Sequence, residues 1–404
     1  MKFSPSNWRV HFPLLAGHRE LHYLDNAATG QLCEAALDAV TSHELQHRAN
    51  VLRGTYKLAE QADAAYENAR RQVAAYLNAA DAEEVVFTAG TTASINLVAH
   101  AFGEGLKPGD EVVLSLAEHH SNFVPWQMLR DRRGVVLRLL PLSPDGRLDL
   151  TRLGEAITPR CKLVAVTHAS NVTGAITDLA PIVVAAHAVG ARVLVDGAQA
   201  VQHGPVDVQA LGVDFYAFSG HKAFGPTGVG VLWGRGEALA ALPPFLGGGG
   251  MIGRVTTGET TWALPPRRFE AGTPPIGQAI GLGAALDWLR QQPWADLNAH
   301  TTRLAQRLID GIAVLRGLTF LGPRDLKQRL PIVSFNLDGI HPHDVCQVLD
   351  RHGVAVRGGH HCAQPLMDFF KVQGAVRASL APYNDEADVD ALLAGLKDAM
   401  RKLA

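Results

Sequence analysis

Phe215-Tyr216-Ala217-Phe218-Ser219-Gly220-His221-Lys222 runs from an apolar strand pattern into a lysine, and the run Val193-Leu194-Val195 upstream is closed by Asp196. Together the two runs place one amine and one carboxylate at neighbouring strand ends. An aldehyde cofactor needs an amine to form a Schiff base, and a pyridinium ring needs an anion to stay protonated and electron-withdrawing. Lys222 and Asp196 can supply both, which points to pyridoxal 5′-phosphate. Taken singly, each is an ordinary solvated loop charge, so the surrounding residues carry the argument.

Outward from this pair, apolar runs alternate with amphipathic helical stretches: Val85–Phe87, Glu111–Leu114, Val135–Leu137, Leu163–Val166, Val193–Val195 and Phe215–Phe218. That rhythm predicts an α/β protein with a largely parallel sheet covered by helices on both faces, and ligands beyond the carboxyl ends of its strands. From Leu246 the Gly247–Gly250 run and the polar stretch to Pro275 read as a long functional loop. After the helical pattern around Ala284–Leu289, shorter α and β patterns through Ile332–Phe335 to a last helix near Val389–Met400 suggest a second, smaller domain.

The 404 residues are 47% hydrophobic, enough for a sizeable core, and the formal charge is −2. No basic tract supports a nucleic-acid or membrane-surface role, so small-molecule chemistry fits better. The N-terminus lacks an apolar export segment and no later run is long enough to span a bilayer, so a cytoplasmic location is expected. Cys33, Cys161, Cys346 and Cys362 lie far apart without a Cys-x-x-Cys pair, which argues against a disulfide framework and a zinc site. The first three sit in helical or strand patterns and read as structural.

Gly90-Thr91-Thr92 lies between a strand and a helix, where amides and hydroxyls suit a phosphate or simply cap the helix. Ser219 and His221 flank Lys222 and are candidates for the same phosphate. In Glu118-His119-His120 an imidazole can stack on a flat ring or relay protons, with a surface histidine pair as the alternative. Asn171 suits a phenolate oxygen or a substrate carboxylate, or a turn before Thr173-Gly174. Gln199, three residues past Asp196, can reach a ring hydroxyl. The loop Arg357-Gly358-Gly359-His360-His361-Cys362 places a thiol among groups able to be cationic, which favours thiolate; adjacent residues in one short loop rarely converge on a metal, and no metal site is expected. Arg377 suits bidentate capture of an amino-acid carboxylate, with an exposed arginine as the alternative.

Taken in order, Tyr23–Thr29, Gly90–Thr92, Ala117–His120, Ser170–Gly174, Val195–Gln199, Phe218–Lys222, Glu270–Pro274 and His361–Pro365 resemble the class V aminotransferase-like cysteine desulfurases, nearly end to end. The resemblance is to their second group, which includes cysteine sulfinate desulfinase and selenocysteine lyase-like enzymes. It implies the fold type I of pyridoxal-phosphate-dependent transferases: a large domain with a mostly parallel seven-stranded sheet (residues 19–287), a smaller α+β C-terminal domain carrying the cysteine loop (288–404), and an N-terminal segment (1–18) packed with the small domain.

It further implies Lys222 as the Schiff-base lysine, Asp196 on the pyridinium, Gln199 on the ring oxygen and His119 over the ring. Thr91, Thr92, Ser219 and His221 would hold the phosphate, and Thr273 would reach the phosphate of the other subunit of a homodimer. Arg377 and Asn171 would bind the substrate carboxylate, with Arg357 nearby. Cys362 would take sulfur from L-cysteine, leaving alanine, and pass it as persulfide to an acceptor protein; iron–sulfur cluster assembly and tRNA thiolation are both open as destinations. Cysteine sulfinate or selenocysteine would not require Cys362, an aminotransferase would have no use for it, and a cofactor-bound scaffold is the non-enzymatic rival. The chain departs from many relatives at Ala89 and Ala93, where a charge pair is common, and at Leu52, where histidine is common.

Overall fold

The computed structural model describes residues 4–403. Seven strands form the main sheet: β1 (Val85–Thr88), β2 (Glu111–Ser115), β3 (Val136–Leu140), β4 (Cys161–Thr167), β5 (Arg192–Asp196), β6 (Phe215–Ser219) and β7 (Gly230–Gly234), in the order β1-β7-β6-β5-β4-β2-β3. Only β7 runs antiparallel to its neighbours. Both faces are covered, as the unbroken apolar runs require of a parallel sheet. Because side chains alternate along a strand, Val164, Val166, Val193, Val195, Tyr216 and Phe218 share one core cluster. Their neighbours Leu163, Ala165, Leu194, Phe215 and Ala217 fill the other.

On the first face, helices α1 (Lys57–Leu77) and α2 (Ile276–Arg290) pack together. Trp8 and Phe12 of the N-terminal segment join Phe224, Trp288, Trp294 and Tyr383 in an aromatic cluster that belongs to this main core. A second, antiparallel sheet has the order Leu318–Leu321, Ile332–Leu337, Ala375–Ser379, Arg357–Gly359, with the helices Trp294–Ala313, Pro342–Asp350 and Glu386–Leu403 supplying its own core cluster.

The segment from Leu246 to Pro275, expected to be an irregular loop, carries a short hairpin, Ile252–Val255 with Thr260–Trp262. Its anchor is Glu270, which bonds the buried Arg70 through both oxygens (2.8 and 2.9 Å), the Phe87 amide (2.7 Å) and the Tyr66 hydroxyl (3.1 Å). One glycine pair matters for the site. A Cβ on Gly230 would stand 2.4 Å from Gly90 Cα, so glycine there lets the Gly90 turn settle onto the sheet beside Ser219.

Candidate active site

The carboxyl ends of the central strands open into a cavity of about 1010 Å³, of the size that holds a cofactor and a small substrate. Strands β5 and β6 are neighbours, with Asp196 paired to Ala217, so Asp196 and the turn Gly220–Lys222 share one floor. Asp196 is buried and accepts the Ala198 amide at 3.0 Å. Burial pushes its pKa up, opposed by that amide and by Lys222. Loss of bulk water lowers the Lys222 pKa to about 8, against the pull of Asp196. A buried carboxylate and a buried amine with a lowered pKa suit the ring nitrogen and aldehyde of pyridoxal phosphate.

At one side, the helix Thr91–Ala101 begins at Gly90. Its first amide, on Thr91, donates to Ser219 Oγ at 2.8 Å, and the two hydroxyls lie 2.7 Å apart. Thr92 Oγ1 meets Ser121 Oγ at 2.7 Å, and His221 Nδ1 lies 3.2 Å from Thr29 Oγ1. Hydroxyls gathered at a helix N-terminus suit a phosphate. Gln199 donates to the Ala27 carbonyl at 2.9 Å, keeping its other amide hydrogen and its oxygen on the cavity wall.

His119 also lines the cavity. The Ser121 amide donates to its Nδ1 at 3.1 Å, so that nitrogen is the acceptor and Nε2 carries the proton. Burial, helped by Lys222, His120 and Arg377, lowers its pKa to about 3, and the ring is neutral. Beside it, buried Glu118 accepts from the Ser115 hydroxyl (2.5 Å) and the Asn122 amide (2.7 Å).

The cysteine loop hangs over the opposite wall. His361 and Cys362 both have positive φ, 51° and 54°, uncommon for side-chain-bearing residues and costing roughly 1 kcal/mol or more each. Three bonds hold the loop to the large sheet's side. The His120 amide donates to the Cys362 carbonyl (2.7 Å), the Gln364 amide to His120 Nε2 (3.2 Å), and the Asn171 amide to the His361 carbonyl (2.7 Å). The Cys362 side chain is exposed to the cavity it lines.

The expectation that the neighbouring histidines supply positive charge to the thiol is corrected for His361. Burial, with Arg377 nearby, lowers its pKa to about 3, and Nε2 donates to the Ala375 carbonyl at 2.9 Å. The cations that feel a charge on Cys362 are Lys222, Arg357 and Arg377.

Arg377 is buried, with Nη1 donating to the Asn171 carbonyl (3.0 Å), Nη2 to Asp25 (3.2 Å), and Nε without a partner. Arg377 still lines the cavity, where its guanidinium charge suits a carboxylate. Arg357 holds the same Asp25 through Nε and Nη2. Asn171, expected at the ring or the substrate, gives one amide hydrogen to the cysteine loop and still lines the cavity. Thr273 is exposed and absent from the lining of its own chain's cavity. Sequence reasoning passed over Asp25 and Ser121 and gave His120 no place at the cysteine loop; the signal for Asp25 was its place in the Tyr23–Thr29 stretch.

Residues 22–392 match the family model of class-V aminotransferases. The chain belongs to that family. It is 48% identical over 402 residues to a cysteine desulfurase of Klebsiella pneumoniae (strain 342), covering 98% of each chain. It is 45% identical over 410 residues to a cysteine desulfurase of Escherichia coli O127:H6, covering 100% of each. Among solved structures, the cysteine desulfurase CsdA of Escherichia coli superposes with a TM-score of 0.92 at 41% identity, and the apo cysteine desulfurase of Thermococcus onnurineus NA1 with 0.95 at 39%, each over 99% of both chains. A C-DES mutant with glycine covalently linked to its PLP cofactor superposes with 0.82 at 27% identity, over 96% of this chain and 99% of its own. The α/β fold with one large, mostly parallel sheet is thus the fold of these enzymes.

Proposed function

We propose that this class-V aminotransferase family member is a pyridoxal-phosphate-dependent cysteine desulfurase that converts L-cysteine to L-alanine and carries the sulfur on Cys362. The observation that carries this reading is one cavity lined by Lys222, Asp196, Arg377 and the thiol-bearing side chain of Cys362. Bound against Asp196 and Lys222, the cofactor supplies an aldehyde for the substrate amine and a sink for the electron pair released at Cα. Arg377 would hold the substrate carboxylate, and Thr91, Thr92, Ser219 and His221 would hold the phosphate. Lys222, with a pKa near 8, has a neutral fraction at physiological pH and takes the Cα proton. His119, neutral and with hydrogen on Nε2, lines the same cavity and would face the bound ring.

Cys362 then attacks the substrate sulfur as thiolate. A sulfur–sulfur bond forms, the Cβ–S bond breaks with its electron pair kept by carbon, and protonation of that carbon leads to alanine. The persulfide on Cys362 passes to a sulfur-acceptor protein. We further propose a homodimer in which Thr273 reaches the neighbouring cavity, and a cytoplasmic location. Among the described residues no helix is long and apolar enough to cross a membrane, and no cluster of three metal-ligating side chains occurs.

Alanine formation from L-cysteine and from L-cysteine sulfinate, by the unaltered protein and by Cys362→Ala, tests the reading. The account expects cysteine turnover to fall at least about a hundredfold in the variant while sulfinate turnover persists. Equal cysteine turnover in both proteins would rule out the persulfide route and leave a sulfinate or selenocysteine lyase.

A further inference from the structure

Arg357 and Arg377 stand directly opposite each other on neighbouring antiparallel strands of the small sheet. Like charges in that register repel unless an anion lies between them. Asp25 is that anion. Its Oδ2 accepts from Arg357 Nε (3.1 Å) and Nη2 (2.9 Å), and its Oδ1 accepts from Arg377 Nη2 (3.2 Å). The carboxylate is mostly covered, with 14% of its side chain exposed, whereas Arg377 is 3% and Arg357 52% exposed. Two guanidinium groups therefore share one carboxylate, and the arginine wall of the cavity carries one net positive charge.

The two arginines do not play the same part. Arg377 is buried and fixed by the Asn171 carbonyl and Asp25. Arg357 is half exposed and lines the cavity, and its strand Arg357–Gly359 runs directly into the loop that carries Cys362 along the same wall, so it stands toward the end where the substrate side chain meets the thiol. Asp25 engages it on the Nε and Nη2 edge and neutralises it there. We propose, resting on the amino-acid-binding function assigned above, that Asp25 is a specificity-determining residue: by cancelling the charge of Arg357 it tunes the cavity to amino acids with an uncharged side chain and against those whose side chain bears a second anion.

Equilibrium titration of the cofactor-loaded protein with L-alanine and with L-aspartate, followed by the change in cofactor absorbance, measures this preference without turnover. Asp25→Asn frees one guanidinium charge on the cavity wall. The ratio of the aspartate to the alanine dissociation constant is expected to fall about tenfold, a partly screened interaction of unit charges. Asp25→Glu keeps the wild-type ratio. Asp25→Asn combined with Arg357→Gln restores the net charge and returns the ratio toward wild type. If Asp25→Asn does not fold, Arg357→Gln alone reads the same balance in the opposite sense and raises the ratio. An unmoved ratio in Asp25→Asn, or a double variant no nearer to wild type than the single one, would overturn the proposal. Absence of alanine formation from cysteine would instead sink the desulfurase reading and leave this titration readable.

Discussion

Replacing Glu270 by alanine isolates the contact that pins the Glu270–Pro274 segment, and with it Thr273, to the body of the protein. Glu270 is 7% exposed and its partner Arg70 2%. The side chain accepts two hydrogen bonds from Arg70, one from the Phe87 amide in β1 and one from the Tyr66 hydroxyl. The Arg70 guanidinium also lies 4.9 Å from the Phe87 ring centre and 5.2 Å from that of Tyr66. Burial alone would lower the Arg70 pKa, but the charge and hydrogen bonds of Glu270 outweigh it and hold it raised. Deleting Glu270 leaves a buried cation with the Val85 carbonyl and Glu67 as its remaining partners. Breaking such a pair from one side costs roughly 3–5 kcal/mol. Glutamine, which still accepts the Phe87 amide, costs about half as much. Urea unfolding followed by circular dichroism at fixed protein and cofactor concentration measures both. A loss below about 1 kcal/mol for the alanine variant would show that Arg70 finds other partners and that Glu270 does not anchor the segment.

Two further predictions concern pH. Desolvation lowers the Lys222 pKa from 10.5 to about 8, so the unfolded chain binds more protons between those values. The penalty on the cofactor-free folded protein is therefore complete below pH ~8 and gone above ~10.5. Lys222→Met should stabilise the apoprotein at pH 7 by up to about 3 kcal/mol, an advantage that urea melts should show shrinking as pH rises to 10.5; a constant difference would contradict the shift. Glu118 is the reverse case: burial raises its pKa from 4.5 to about 8 against the bonds from Ser115 and Asn122. Its contribution to stability is present below pH ~4.5 and lost as pH rises through ~8. Glu118→Gln should accordingly gain on the unaltered protein across that window, and parallel pH–stability curves would rule this out.

The main sheet was legible because six of its seven strands contain a short apolar run, even where a strand also carries Arg138 or Lys162. The seventh, Gly230–Gly234, was not, since glycine at both ends and its approach to Gly90 disguise a strand as a turn. The hairpin at Ile252–Trp262 hid for a related reason: it is exposed, and glycine-rich sequence surrounds it. Lys222, Asp196 and His119 could be singled out because each follows a strand at the same end of the main sheet, and Cys362 because its glycine-loosened loop follows a strand of the small sheet. Asp25 could not, because its partners Arg357 and Arg377 lie more than 300 residues away and only the small sheet brings them to it. The misjudged charge of His361 has the same origin. Composition shows a histidine beside a thiol, whereas its burial and its bond to Ala375 exist only in the folded chain.

Peptide mass mapping after one turnover with L-cysteine tests the central claim most directly. The account predicts a mass gain of one sulfur atom on the peptide carrying Cys362, none on those carrying Cys33, Cys161 or Cys346, and alanine in equal amount. Alanine formed at the same rate with Cys362 unmodified, or sulfur carried on another cysteine, would contradict it.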